Sequence, residues 1–177
     1  MRRGPLQARQ ILNRQVFRKL IRANSLLDIG AGIRPFDLFS FSTHVCVEPH
    51  EEYVGILVQK GHTVIKAQAH EVLLSLRGFD CIYLIDVIEH MEKDVGAHVI
   101  DMAISVVRKQ IFVFTPLGFM EQNTLHAETD PWGLHGGYWQ HHRSGWYPED
   151  FPNWDILISE KYHRREKCGA FAAMYTK

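Results

Sequence analysis

The chain has 177 residues, 46% of them apolar and 23% charged, with 20 basic and 20 acidic side chains. That size describes a single domain able to bury roughly 70% of the surface its unfolded chain exposes, without a disulfide or metal to hold it. Thirteen glycines and seven prolines exclude a fibrous or disordered chain. No stretch approaches the ~20 consecutive apolar residues of a membrane span, and the first residues lack the apolar run of a secretory signal, so a cytoplasmic protein is expected.

Three cysteines cannot pair completely, and Cys46 and Cys81 sit in apolar runs as buried thiols would. Residues 1 to 25 hold seven basic side chains and no acids, so a basic N-terminal segment, residues 1–24, precedes an acidic body. Within it Leu12, Val16 and Leu20 recur at helical spacing with Arg14, Arg18, Lys19 and Arg22 between them, predicting an amphipathic helix over residues 6 to 22. Its arginines are either a solvated face or a contact for an anionic partner.

Ser25 to Ile29 is a short apolar strand running into Gly30-Ala31-Gly32, and His44 to Val47 is the next, closed by Glu48 and Pro49. The connection between them barely suffices for a parallel crossover, which predicts a short helix or an irregular turn around Phe36 to Phe39. A helix over Glu51 to Lys60 stops at Gly61; a third strand spans Thr63 to Ala67, a helical turn Glu71 to Leu76, and a fourth strand Phe79 to Ile85. Asp94 to Lys109 has helical periodicity, and Ile111 to Thr115 forms a fifth strand. Continuous apolar strands separated by helices indicate a mainly parallel α/β sheet covered on both faces. The periodicity then breaks over residues 117–154, rich in Trp, His, Gly and Asp, and segments of that length are commonly functional. Asp155 to His163 and Ala170 to Thr176 are joined too tightly for a parallel crossover and predict a closing antiparallel hairpin.

The sharpest chemical signal is Asp28-Ile29-Gly30-Ala31-Gly32 after the first strand, with Glu48 after the second. Glycines let a backbone approach a ligand closely, and an acid in the second position can accept both hydroxyls of a ribose. NAD would require a third glycine where the next helix begins, to cradle its pyrophosphate; here that position is Pro35. A nucleoside cofactor without phosphates fits better.

At these residues the chain resembles the class I S-adenosylmethionine-dependent methyltransferases, particularly small-molecule members whose fourth strand ends in D-x-x-E-H, here Asp86-Val87-Ile88-Glu89-His90. The resemblance runs from Ser25 to Lys177 and includes Val113-Phe114-Thr115-Pro116. It implies a single Rossmann-like domain with a seven-stranded sheet in order 3-2-1-4-5-7-6, the last strand antiparallel, and S-adenosylmethionine as cofactor. It further implies that Asp28, Gly30 and Gly32 surround the methionine half, that Glu48 holds the ribose, and that Asp86 and Val87 face the methionine amine and sulfonium. Gln68 falls where the family usually has an aspartate for the adenine amino group, with Ala69 offering its backbone N–H to the ring. Glu89 and His90 have an alternative reading as a helix-start feature.

Methyl transfer from a sulfonium needs chiefly alignment and desolvation and, for a hydroxyl acceptor, a base. The fourth strand lacks the Asn/Asp-Pro-Pro-aromatic sequence of amino-methylating nucleic-acid enzymes, so a nucleic-acid acceptor is not expected. The expected acceptor is a small molecule or glycan-like, neutral or anionic, methylated at oxygen beneath a lid formed by residues 117–154. His142 and His135 are the candidate bases because imidazole titrates near neutral pH, with His90, Arg143 and Trp146 as acceptor contacts. Trp132, Trp139 and Trp146 have the competing reading of plugs that seat the lid on the sheet. The histidines and acids of the lid match no common metal spacing, and no metal is expected. A non-catalytic cofactor-binding or partner-binding domain on the same fold is the alternative function, and either a monomer or a homodimer is compatible.

Overall fold

The computed structural model describes residues 14–163 and 168–177. Helix α1 (Arg14–Lys19) leads to strands β1 (Ser25–Ile29) and β2 (Thr43–Val47), helix α2 (Glu51–Gln59), strand β3 (Thr63–Ile65) and the short helix α3 (Ala69–Val72). Strand β4 (Cys81–Ile85), helix α4 (Lys93–Val106), strand β5 (Gln110–Pro116), helix α5 (Gly137–Gln140) and strands β6 (Asp155–His163) and β7 (Cys168–Thr176) follow. The seven strands form one sheet in the order β3-β2-β1-β4-β5-β7-β6. The first five are parallel to one another, and β7 inserts antiparallel between β5 and β6.

Both faces are apolar because each central strand is apolar at odd and even positions alike. Leu27, Ile82, Leu84 and Val113 face α4, which buries Val99, Met102, Ala103 and Val106 against them. Leu26, Cys81, Tyr83 and Phe112 face the other way, toward Val16 and Leu20 of α1. Side chains in a strand alternate between faces, so these runs are what a doubly covered sheet requires.

The expected irregular connection between β1 and β2 is what forms. Its covering side chains are aromatic: Phe36 packs edge-on against Phe39 and Tyr83, each at 5.0 Å between ring centroids. With Phe41, which packs on both Phe36 and Phe39, three phenylalanine rings thus cover sheet that a crossover helix would otherwise protect. The N-terminal helix ends at Lys19, short of residue 22, because the Gln110 side chain intervenes: its Nε2 donates to the Lys19 carbonyl at 2.8 Å and its Oε1 accepts from Ile21 N–H at 3.1 Å. The part of that predicted helix before residue 14 lies outside the described residues. Strand β7 starts at Cys168, opposite His163, two residues earlier than its apolar run suggests. All three cysteines are free, and Cys46 and Cys81 are buried. No helix among the described residues is long and apolar enough to cross a membrane.

Candidate functional site

A cavity of about 270 Å³ opens at the C-terminal ends of β1, β2, β3 and β4, where strand order reverses and crossovers leave on opposite faces. Its floor begins at the first turn. Gly30 and Gly32 take the left-handed φ values 62° and 56°, and a Cβ on either would lie 2.7 Å from Val87 or from the Trp132 ring. Glycine is the residue that meets both demands.

Glu48, at the end of β2, is 3% exposed and lines the cavity. Its two carboxylate oxygens accept from the backbone N–H groups of Gly32 and His50, each at 2.9 Å. Each oxygen keeps a second lone pair for a ligand hydroxyl. Burial pushes the carboxyl up to about 7, the two N–H donors pulling against it. At the end of β3, Gln68 and Ala69 also line the cavity, and the Glu71 side chain holds the Gln68 N–H at 2.8 Å as the cap of α3. At the end of β4, Asp86 adopts φ 53°, unusual for a non-glycine residue. Burial raises its carboxyl to about 7.

The roof comes from the long segment after β5. Asp130 organises it: Oδ1 accepts from Trp132 and Leu134 N–H at 2.8 and 3.0 Å, and Oδ2 from Gly136 N–H at 3.1 Å and from the Tyr53 hydroxyl. Burial alone would raise the Asp130 carboxyl, but these donors hold it below its usual range, while burial and the same bond raise Tyr53. Tyr53 is on α2 and lines the cavity, so the latch ties the roof to the element after Glu48. Helix α5 then lays Tyr138, Trp139 and Gln140 over the cavity.

At the far end, His90 and Arg143 form the wall. The Arg143 guanidinium donates to the carbonyls of His90, His141 and Tyr138 at 2.8, 3.1 and 2.9 Å, and stacks on the Tyr138 ring. Behind this wall, Glu89 is 2% exposed and accepts from Thr115 Oγ1 at 3.0 Å. Burial, then the neighbouring Asp86 charge, raises its carboxyl well above the ordinary value. The His90 and His142 rings meet edge-on at 4.8 Å. Burial is the main cause holding His90 down at about 3, with His142 adding to it, and burial holds His142 down at about 4. Both are neutral near pH 7.

Of the residues singled out from the sequence, Gly30, Glu48, Gln68, Ala69, Asp86, Val87, His90 and Arg143 meet in this cavity. Asp28 does not line it: its Oδ2 accepts from Phe36 N–H at 2.8 Å and pairs with His44 Nε2 at 3.1 Å, shaping the turn below. Gly32 supports the site through Glu48 and Trp132. Trp146, expected at the acceptor, is instead a core residue 2% exposed, pressed on Gly96 of α4, with its Nε1 donating to Ser144 Oγ at 2.9 Å. This is the plug reading. His135 stands outside the cavity wall, exposed, its ring against Glu52 on α2. His142 is behind His90, with Nδ1 directed at the Met120 carbonyl at 2.7 Å. Neither candidate base faces the cavity.

The sequence reading missed Tyr53, took Trp139 for a plug where it lines the cavity, and did not see the organising role of Asp130. Tyr53 and Leu57 share the buried face of α2, a signal that names a core position and not its hydroxyl's use. Asp130-Pro131-Trp132-Gly133 has the composition of a turn in which the aspartate bonds following N–H groups, and that signal was present.

The sheet order, the reversed last strand and a cavity at the switch point define the seven-stranded fold of class I S-adenosylmethionine-dependent methyltransferases. A structure of an S-adenosylmethionine-dependent methyltransferase from Archaeoglobus fulgidus is similar with a TM-score of 0.62 and 16% identity, covering 93% of this chain and 90% of that one. The magnesium protoporphyrin IX methyltransferase of Synechocystis PCC 6803 with bound S-adenosylhomocysteine gives 0.59 and 13%, covering 86% and 73%. The small RNA methyltransferase HEN1 gives 0.59 and 18%, over 88% of this chain but 23% of that one. No protein-family model matches the sequence, and no curated protein matches it.

Proposed function

We propose that the protein transfers a methyl group from S-adenosylmethionine to a hydroxyl of a small-molecule or glycan-like acceptor. The observation that carries this reading is Glu48, buried at a strand end with both oxygens oriented by backbone donors and one lone pair on each left for a vicinal diol. A ribose supplies such a diol. Gln68 can accept from an adenine amino group and Ala69 can donate its N–H to the ring. Asp86 can hold the methionine ammonium where Gly30 and Val87 wall the cavity.

The reacting carbon carries its own leaving group, so the protein's work is to hold donor and acceptor in line and exclude water. Tyr138 and Trp139 offer aromatic faces on the acceptor side, which suit a sugar or aryl ring. Arg143 spends its guanidinium on three backbone carbonyls and acts as a brace for the wall, which favours an uncharged acceptor over an anionic one. Two of the three acceptor contacts read from the sequence, His90 and Arg143, thus keep a place in the wall.

Calorimetric titration with S-adenosylmethionine and S-adenosylhomocysteine, with NAD as control, tests the reading. Micromolar binding of both that is lost in Glu48→Ala is expected, followed by release of S-adenosylhomocysteine with hydroxylated acceptors. Absence of binding at millimolar ligand overturns it.

A further inference from the structure

We infer that Glu89, His90 and His142 form a binding site for a divalent first-row transition cation at the acceptor end of the cavity. One donor atom from each of the three lies within 4.8 Å of the other two. Ligand atoms ~2.1 Å from a tetrahedral ion sit ~3.4 Å apart, so the three donors would draw together by up to ~1.4 Å to close on a cation. The lid histidines alone suggested no metal; two of the three ligands come from the turn after β4, and only the fold brings His142 to them.

The second observation is how the imidazoles are held. His142 Nδ1 faces the Met120 carbonyl at 2.7 Å and His90 Nδ1 faces the His141 carbonyl at 3.3 Å. A carbonyl only accepts, so both Nδ1 atoms carry the proton and both Nε2 atoms carry a free lone pair. Nδ1–H donated to backbone is how metal-ligating histidines are oriented, and an outer hydrogen bond to the carboxylate is its usual companion. Thr115 Oγ1 gives that bond to Glu89 Oε2 at 3.0 Å.

Charge is the third. Glu89 is 2% exposed and lies in the field of Asp86. No Lys or Arg ion pair among the described residues reaches either carboxylate, and the nearby Arg143 is committed to carbonyls. A divalent cation entering there meets no competing Lys or Arg. Two imidazole nitrogens with carboxylate oxygen suit Mn²⁺, Fe²⁺, Co²⁺ or Zn²⁺.

The cluster of Asp28, His44 and Cys46 is a poorer candidate. Asp28 Oδ2 already serves Phe36 N–H and His44 Nε2, and burial pushes the Cys46 thiol up to about 12, away from the thiolate a metal requires.

Three protein ligands leave coordination positions open, and His90 borders the cavity. The use of the cation rests on the methyl-transfer reading. An acceptor hydroxyl bound to it is acidified and gives its proton to solvent. The oxygen then attacks the methyl carbon, and the carbon–sulfur bond breaks with its pair going to sulfur, leaving a methyl ether and neutral S-adenosylhomocysteine. The missing base is thereby accounted for: neither His142 nor His135 needs to take the proton.

The test is equilibrium dialysis of the chelator-treated full chain against Co²⁺, read by metal analysis and visible absorption. One Co²⁺ per chain is expected, weakened at least tenfold in His142→Asn and in Glu89→Gln, with S-adenosylhomocysteine affinity retained. That retained affinity also reports folding and separates failure of the metal site from failure of the cofactor reading. Nitrogen-15 NMR of the wild-type histidines gives a readout independent of the variants: Zn²⁺ should move the Nε2 resonances of His90 and His142 while Nδ1 stays protonated. No bound Co²⁺ at millimolar concentration, unmoved Nε2 resonances, or loss of Co²⁺ in Cys46→Ala but not in His142→Asn overturns the inference.

Discussion

Lowering the pH from 8 to 6 should weaken S-adenosylhomocysteine binding, and Glu48 sets the size of the effect. Its carboxyl titrates near 7 because burial outweighs the N–H donors of Gly32 and His50. The folded chain without ligand therefore holds the proton below that pH, whereas a bound ribose diol donates to the ionised form. The sign follows: binding requires proton loss from Glu48 below pH 7 and none above it. Each pH unit below 7 costs about 1.4 kcal/mol, so affinity is nearly level at pH 8 and about tenfold lower at pH 6. Asp86 also titrates near 7 and adds its own dependence, so the decisive quantity is a difference between proteins. Glu48→Gln cannot ionise and should lose about tenfold less than wild type between pH 8 and 6. At pH 8 it should bind about ten- to a hundredfold more weakly, the worth of a charge-assisted bond. Calorimetry of both proteins at pH 6, 7 and 8 reads these values directly. Equal pH slopes in the two would refute the assignment of Glu48 to the ribose.

Asp130→Asn should loosen the roof, because an amide nitrogen would face Gly136 N–H where Oδ2 now accepts. The expected loss is about 2–4 kcal/mol in urea unfolding, with faster proteolytic cleavage within residues 119–143; unchanged stability and cleavage would count against the latch. Trp146→Ala should cost about 3–5 kcal/mol as a cavity in the core. A variant that keeps its stability and loses turnover with one acceptor only would return Trp146 to the acceptor site.

The parts of the site legible in sequence are those whose geometry is local. Gly30, Gly32 and Glu48 follow strand ends, and a strand end dictates where the next few residues point, so their meeting could be anticipated from apolar runs and turn glycines. Asp86 and His90 were legible for the same reason. The roof was not. Residues 117–154 have no period, and the destination of each side chain depends on what waits across the fold. Trp146 reaches Gly96 on α4 and His135 reaches Glu52 on α2, partners that nothing in the neighbouring sequence announces. His142 illustrates the limit best: its ring was noticed, but its significance lies in Glu89 and His90, which belong to another element. The first connection misled less, since a gap too short for a full helix admitted an irregular turn, and three phenylalanines are a visible substitute for its missing apolar face.

One segment grips both halves of the site. Trp132 rests on Gly32 beside the first turn, Tyr53 is clasped by Asp130, and Trp139 and Arg143 stand on the acceptor side. Traffic through the two halves is therefore governed by a single gate. The arch that shelters the acceptor side is the same one that covers the nucleoside's half, so a motion that opens either opens both.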